Sequence, residues 1–337
     1  ETAQLVQRMT GKEVGIYHGK LGKPQRNHTQ DMFQNGDLQL IVATNAFGMG
    51  VDKAQDVSAK VLTPSGFRRM GCLKVGDKVI GSDGRPTRIT AVHERGRIPA
   101  FRVRFSDGSS TVCADDHSWA VRTPKEKYRK KDFTVRKLRE LRESLRDSSN
   151  NSKWFIPMTG PVRFDQAALE LSPYLLGVLL GDGSLIAAAR FTNREGDMLR
   201  LVEAEVPGGV KVCAGKHGHV GLVAAGRLNP VTEALRRMGL FGKKARSKFV
   251  PAQYLHASPE QRLSLLQGLL DTDGHVPEPS HNSVVYVTTS KKLKDAAVWV
   301  VRSLGGTATH RWKGKGWYVT ISLPNSMPPF RRTRKLV

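Results

Sequence analysis

Between Leu38 and Ala43 the apolar residues Leu38, Leu40, Ile41, Val42 and Ala43 crowd together with little alternation, as in a short buried strand. The polar stretch from Pro24 to Phe33 is helix-compatible, so this part of the chain predicts a strand–helix–strand rhythm. Beyond it the pattern shortens to alternating runs, Lys60-Val61-Leu62-Thr63 and Asp77-Lys78-Val79-Ile80. These are punctuated by Pro64-Ser65-Gly66 and Ser82-Asp83-Gly84, and Phe101–Phe105 then leads into Ser106-Asp107-Gly108. Such runs predict short antiparallel strands joined by turns. From Trp119 to Lys153 a basic, helix-prone stretch follows, with Ser148-Ser149-Asn150-Asn151-Ser152 as a linker.

The most informative pattern comes last and occurs twice. Leu175-Leu176-Gly177-Val178-Leu179-Leu180-Gly181-Asp182-Gly183 and Leu266-Gln267-Gly268-Leu269-Leu270-Asp271-Thr272-Asp273-Gly274 are mostly apolar helices with glycine third and Asp-Gly at the end. Glycine lets two helices approach backbone to backbone, and the terminal glycine lets the chain leave the helix. If the two pack side by side, Asp182 and Asp273 meet at their ends. Around them runs a longer repeat. Phe191-Thr192-Asn193, Gly208-Gly209, a hairpin-like stretch and Lys248-Phe249-Val250 follow the first. Val287-Thr288-Thr289, Gly305-Gly306, a second hairpin-like stretch and Lys335-Leu336-Val337 follow the second. Each half reads α–β–β–α–β–β–α.

Charge sharpens this picture. The 337 residues carry 54 Lys and Arg against 30 Asp and Glu, a formal net charge of +24. Residues 1–53 hold six basic and five acidic side chains, so nearly all the excess lies beyond Lys53. A field of that size draws a polyanion such as nucleic acid. Paired carboxylates within it predict a divalent-cation site, Mg²⁺ on Asp182 and Asp273, for phosphodiester hydrolysis. Three cysteines without CxxC spacing argue against a disulfide framework or structural zinc, which fits a reducing cytosol near the nucleoid. No run of about 18 apolar residues exists, so no membrane partner is expected. Glu1 in place of a starting Met suggests a fragment or a processed product.

Three resemblances add to these readings. Tyr17-His18-Gly19, Arg26, Gln30, Phe33 and the loop "VATNAFGMGVDK" resemble the second, RecA-like α/β motor lobe of RecQ-type superfamily II helicases. The resemblance implies that Thr44, Asn45, Phe47, Gly48 and Gly50 couple DNA to ATP in a 3′–5′ helicase. The G-x4-GK[ST] phosphate loop is missing, so ATP is expected to serve only the complete host.

After Lys53, Val61-Leu62-Thr63-Pro64-Ser65-Gly66, Val75-Gly76-Asp77 and His117 resemble the all-β Hint splicing domain of inteins. The resemblance puts Ala54 at the first position, where a thiol or hydroxyl normally performs the acyl shift. Either this splicing site is inactive, or it resembles the class attacked directly by a downstream cysteine, whose Trp two residues after the His is matched by Trp119. Ala114 departs from the usual Thr. His281-Asn282-Ser283 is taken as coincidence, and the expected carboxyl-terminal splicing blocks do not follow before Val337.

The two nonapeptides resemble the LAGLIDADG (DOD-type) homing endonucleases, α+β enzymes of two pseudo-symmetric halves whose strands form DNA-binding saddles. That resemblance implies double-stranded DNA as the partner and assigns metal binding and catalysis to Asp182 and Asp273. It assigns a water-polarising role to Lys248, 66 residues after Asp182, and to Lys335, 62 after Asp273. The chain is thus expected to be multidomain: helicase fragment 1–53, incomplete Hint module 54–124, basic helix and linker 125–160, and nuclease 161–337. The nuclease is expected to act as a monomer. The alternatives are a DNA-binding module whose cleavage has decayed, and the host's own helicase role.

Overall fold

The computed structural model describes residues 55–332 except 194, 227 and 278–282, together with 7–8, 13–17, 24–25, 28–29, 32 and 40–43. They divide into two compact units, one of residues 1–55 with 113–156 and the other of residues 56–112 with 157–337.

In the first unit Val14–Tyr17 and Leu40–Ala43 pair in parallel, Val14 opposite Leu40 and Tyr17 opposite Ala43. A parallel pair needs a crossover, and the described residues between the strands are helical at 24–25, 28–29 and 32. The expected strand–helix–strand rhythm is present. The basic stretch is not the continuous helix its composition suggests. It forms two five-residue helices, Pro124–Tyr128 and Leu138–Arg142, separated by the strand Thr134–Lys137, which pairs antiparallel with Ser118–Val121. Arg129 ends the first helix, Lys130 takes a left-handed φ of 53°, and Thr134-Val135 favours strand. The cations then lie over aromatic rings: Arg122 over Phe133 at 4.3 Å and Arg136 over Trp154 at 5.3 Å.

In the second unit Lys60–Thr63 pairs with Gly66–Arg69, and Lys78–Ile80 with Pro86–Arg88, both antiparallel as expected. The turn between the latter two strands is clasped by residues 160–163. Gly160 N–H donates to Ser82 O at 2.8 Å and Arg163 N–H to Gly84 O at 2.8 Å. Only glycine suits position 84, since its φ is +78° and a Cβ would lie 2.1 Å from Pro161 O.

The rest of this unit is a repeat of one motif. The first half runs α1 (Pro173–Gly181), β1 (Gly183–Ser184), β2 (Arg190–Thr192), α2 (Gly196–Glu203), β3 (Val210–Ala214), β4 (His219–Ala224) and α3 (Pro230–Arg237). The second runs α4 (Pro259–Asp273), β5 (Gly274–His275), β6 (Val284–Thr288), α5 (Lys291–Ser303), β7 (Thr307–Lys313) and β8 (Gly316–Ser322). The sheets are wound identically, β1-β2-β4-β3 and β5-β6-β8-β7. The β–β–α–β–β order therefore repeats as the sequence implies, but the closing helix expected in the second half is not formed among the described residues: residues 323–332 after β8 run as turns and irregular chain. One core joins both halves, with Leu175, Leu179, Leu265 and Leu269 buried between α1 and α4.

Candidate active site

Helices α1 and α4 begin alike. Ser172 and Ser258 accept from the N–H groups of Leu175 and Gln261, and proline occupies the first turn of each. Each then places its glycine against the other helix. A Cβ on Gly177 would lie 2.4 Å from Leu265 O and 2.9 Å from Gly268 Cα, and a Cβ on Gly268 would lie 2.3 Å from Tyr174 O. The predicted backbone-to-backbone contact is thus realised, and any side chain there would part the helices.

Because the pair crosses at these glycines, its two carboxyl ends converge. A Cβ on Gly181 would meet Thr272 Oγ1 at 2.0 Å and Asp273 Oδ2 at 3.2 Å, so Asp273 lies against the residue preceding Asp182. Asp182 is exposed and Asp273 half-buried. Lys248 is brought to the same place. It is 3% exposed, and its Nζ donates to the carbonyl oxygens of Leu179 (3.1 Å), Leu180 (2.9 Å), Gly181 (3.1 Å) and Gly183 (2.7 Å). Four acceptors compete for three ammonium protons, at the end of α1 where helical carbonyls lack partners. Burial pulls its pKa down to about 8, against the opposing pull of Asp273 and then Asp182. The ammonium is the charged form at pH 7. The main chain of Lys248 is fixed as well, since buried Ser290 donates to its carbonyl at 2.7 Å.

Among the described residues no cluster of three or more His, Cys, Asp or Glu side chains converges. Two carboxylates suffice for Mg²⁺, which takes one or two and completes its shell with water and phosphate oxygens. The donor set at Asp182 and Asp273 fits that ion and not a closed zinc site.

Beside the carboxylates is a buried polar network that the motif comparison did not single out. Asp271, fully buried, accepts from Tyr174 Oη of α1 at 2.9 Å and from the Arg331 N–H at 3.2 Å. Burial first, then the Asp271 carboxylate, pushes the Tyr174 hydroxyl pKa up. Arg331 donates to Gln267 Oε1 (2.9 Å), Ser264 Oγ (2.7 Å) and Glu205 Oε1 (2.5 Å), and its guanidinium lies 4.4 Å above the Tyr174 ring. A signal existed in the sequence. Ser264, Gln267 and Asp271 form a polar stripe at helical spacing, and Leu176 and Leu180 stand at the last two of these places in α1. Arg262, also fully buried, was missed for want of any such signal. It donates to Ala257 O at 2.9 Å, to Ser303 Oγ and to Val162 O.

In the other unit, His117 is 3% exposed and its ring packs edge-on against Trp119, centroids 5.1 Å apart. Gln55 pairs with Cys113, which brings the chain just after position 54 beside the strand leading to His117. Ala54, the loop residues Thr44, Asn45, Phe47, Gly48 and Gly50, the pair His281-Asn282 and Lys335 lie outside the described residues.

The chain matches two protein families. A model of the helicase conserved C-terminal domain matches residues 1–59, and a model of a LAGLIDADG-like domain matches residues 260–326. Replicative DNA helicase DnaB of Mycobacterium intracellulare is 31% identical over 287 residues, covering 79% of this chain and 45% of that protein. ATP-dependent DNA helicase RecQ of Bacillus subtilis (strain 168) is 43% identical over 56 residues, 16% of this chain and 10% of that one. This chain therefore spans less than half the length of either relative. A variant of the homing endonuclease I-DmoI aligns over 46% of this chain and 83% of its own, with 15% identity and a TM-score of 0.33. The Msm DnaB1 intein splicing domain aligns over 25% of this chain and 60% of its own, with 35% identity and a TM-score of 0.20. The family matches put a helicase-type segment and a LAGLIDADG-like domain in one chain. The RecQ type expected from residues 17–53 is not shown: the RecQ match covers 16% of this chain, and the match of wide extent is to DnaB.

Proposed function

We propose that the region from about residue 160 onward is a site-specific homing endonuclease, carried by an intein lodged in a DNA helicase. It would cut both strands of duplex DNA at the intein-free insertion site. The observation that carries this reading is the Gly177–Gly268 contact, which delivers Asp182 and Asp273 to one place beside the buried Lys248 ammonium.

The chain's own residues would act as follows. Asp182 and Asp273 would hold Mg²⁺, which supplies polarisation of the phosphodiester and of water. Lys248 keeps the end of α1 fixed and contributes positive charge toward water and the scissile phosphate; Lys335 is proposed for the second half by the repeat. The basic excess beyond Lys53 supplies phosphate contacts, so affinity should fall steeply with salt.

The test is plasmid linearisation with the joined helicase sequence as target. Asp182→Asn and Asp273→Asn should each abolish double-strand cutting while leaving DNA binding intact, and chelation of Mg²⁺ should do the same. Cutting by both variants at the wild-type rate would discard the two-carboxylate mechanism. No cutting by wild type would favour the decayed DNA-binding module.

For the intein, the burial of His117 against Trp119 and the Gln55–Cys113 pairing support a splicing role with Ala54 at the first position and His117 in the amino-terminal step. For the host, Tyr17-His18-Gly19 and the 56-residue match support an ATP-dependent RecQ-type helicase. The wider match favours a DnaB-type host. The reading frame continuing the helicase beyond the intein distinguishes the two.

A further inference from the structure

The two nonapeptide helices share their fold and differ in how they finish. Helix α1 ends Leu180-Gly181-Asp182-Gly183, and its last carbonyls are taken by Lys248. Helix α4 ends Asp271-Thr272-Asp273-Gly274, with Asp271 in the place of Leu180. The cation that reaches the corresponding carbonyl is a guanidinium: Arg332 Nη1 donates to Asp271 O at 3.3 Å.

Arg332 is as deeply placed as Lys248, 4% against 3% exposed. Its own N–H, with that of Arg331, donates to the Asp271 carboxylate at 3.4 and 3.2 Å. The rest of its fork is held by the first half. Nε and Nη2 lie 3.2 and 3.3 Å from Asp197, on α2, and Nη2 also pairs with Glu195. The planar fork of arginine can serve a helix end and two carboxylates at once, which a lysine ammonium meets less well.

We propose that Arg332, rather than the repeat-matched Lys335, is the positioning residue of the second nuclease half and the counterpart of Lys248. It caps the end of α4, so that Asp273 stands at a fixed place, and it ties that end to the first half through Glu195 and Asp197. This rests on the nuclease reading above. The physical basis is the attraction of a cation to unpartnered carbonyls at a helix carboxyl end, made stronger by burial.

Hydrogen exchange of the full chain tests the capping, and plasmid cutting tests its consequence. Arg332→Met should speed exchange of the amides of residues 271–275 by about 10-fold or more while leaving 180–184 unchanged. Arg332→Lys should recover part of the protection, and Lys335→Met should match wild type. If Arg332→Met does not fold, Asp197→Asn, which loosens Arg332 without touching α4, should give the same pattern at smaller amplitude. On supercoiled target plasmid the Arg332 variants should raise the ratio of nicked to linear product, because one half loses its aligned carboxylate; a merely destabilising change lowers both products together. Unchanged exchange at 271–275 in both Arg332→Met and Asp197→Asn, or the same effect from Lys335→Met, overturns the proposal. The expected exchange pattern in the variants, together with wild type that cuts nothing, would instead remove the nuclease reading and leave the cap standing.

Discussion

Replacing Gly177 by alanine tests the contact on which the site depends. The new methyl would lie 2.4 Å from Leu265 O and 2.9 Å from Gly268 Cα and Leu269 N, all of them main-chain atoms of α4. An unstrained contact needs roughly 3.5 Å, so the helices must part by about 1 Å. A gap of that size forfeits about a quarter to a half of each dispersion contact across the interface. That interface is lined by Leu175, Leu179, Leu265 and Leu269, none more than 1% exposed. Overpacking of this kind costs about 1–3 kcal/mol, and the rigidity of the clashing main chain puts this site at the upper end, about 3 kcal/mol. Against it stands the preference of a helix interior for alanine over glycine, about 1 kcal/mol. The net expectation is about 2 kcal/mol of destabilisation, which lowers the melting temperature by about 4–8 °C for a unit of this size. Gly208→Ala is the control, since nothing lies within 4 Å of its Cβ position and its φ is not left-handed; it should shift stability by less than about 0.5 kcal/mol. Thermal and urea unfolding of both variants decide the matter. Gly177→Ala as stable as wild type would refute the claim that the glycines set the helix separation.

Other consequences follow from the same structure. Arg262→Met would leave the carbonyls of Ala257 and Val162 without that donor in the core, and the urea midpoint should fall by the equivalent of at least about 3 kcal/mol. Lys248 should impose a pH dependence of known sign. Its pKa is about 8 when folded against 10.5 as the ordinary value, so the unfolded chain binds more protons between them. Stability from this group should therefore rise with pH across that window, and Lys248→Met should flatten the rise in urea unfolding measured at pH 8 and pH 10. In a full-length precursor His117→Ala should slow the amino-terminal splicing step, read by gel as accumulated precursor; an unchanged rate would remove the role assigned to His117.

Much of the architecture of the repeated halves was legible in the chain. Leu175–Gly183 and Leu266–Gly274 announce a helix pair because glycine at the third place permits main-chain contact and Asp-Gly ends each helix. The spacing of turn residues also marked the hairpins; the register of the second, with Trp312 opposite Trp317 around Gly314 at φ +61°, came from the structure. These are local properties, decided by residues close in sequence. What only the tertiary structure decided is where distant groups meet. Lys248 sits some 65 residues from the carbonyls it caps. Asp271 looks like a continuation of an acidic motif until its buried carboxylate is seen to accept from Tyr174, Arg331 and Arg332. The basic stretch after Trp119 suggested a helix because composition ranks propensity alone. The pairing of Thr134–Lys137 with Ser118–Val121 and the rings of Phe133 and Trp154 overrode it. Burial sets the balance at each of these places: a cation or carboxylate removed from water must find partners, and only the folded chain determines which lie within reach.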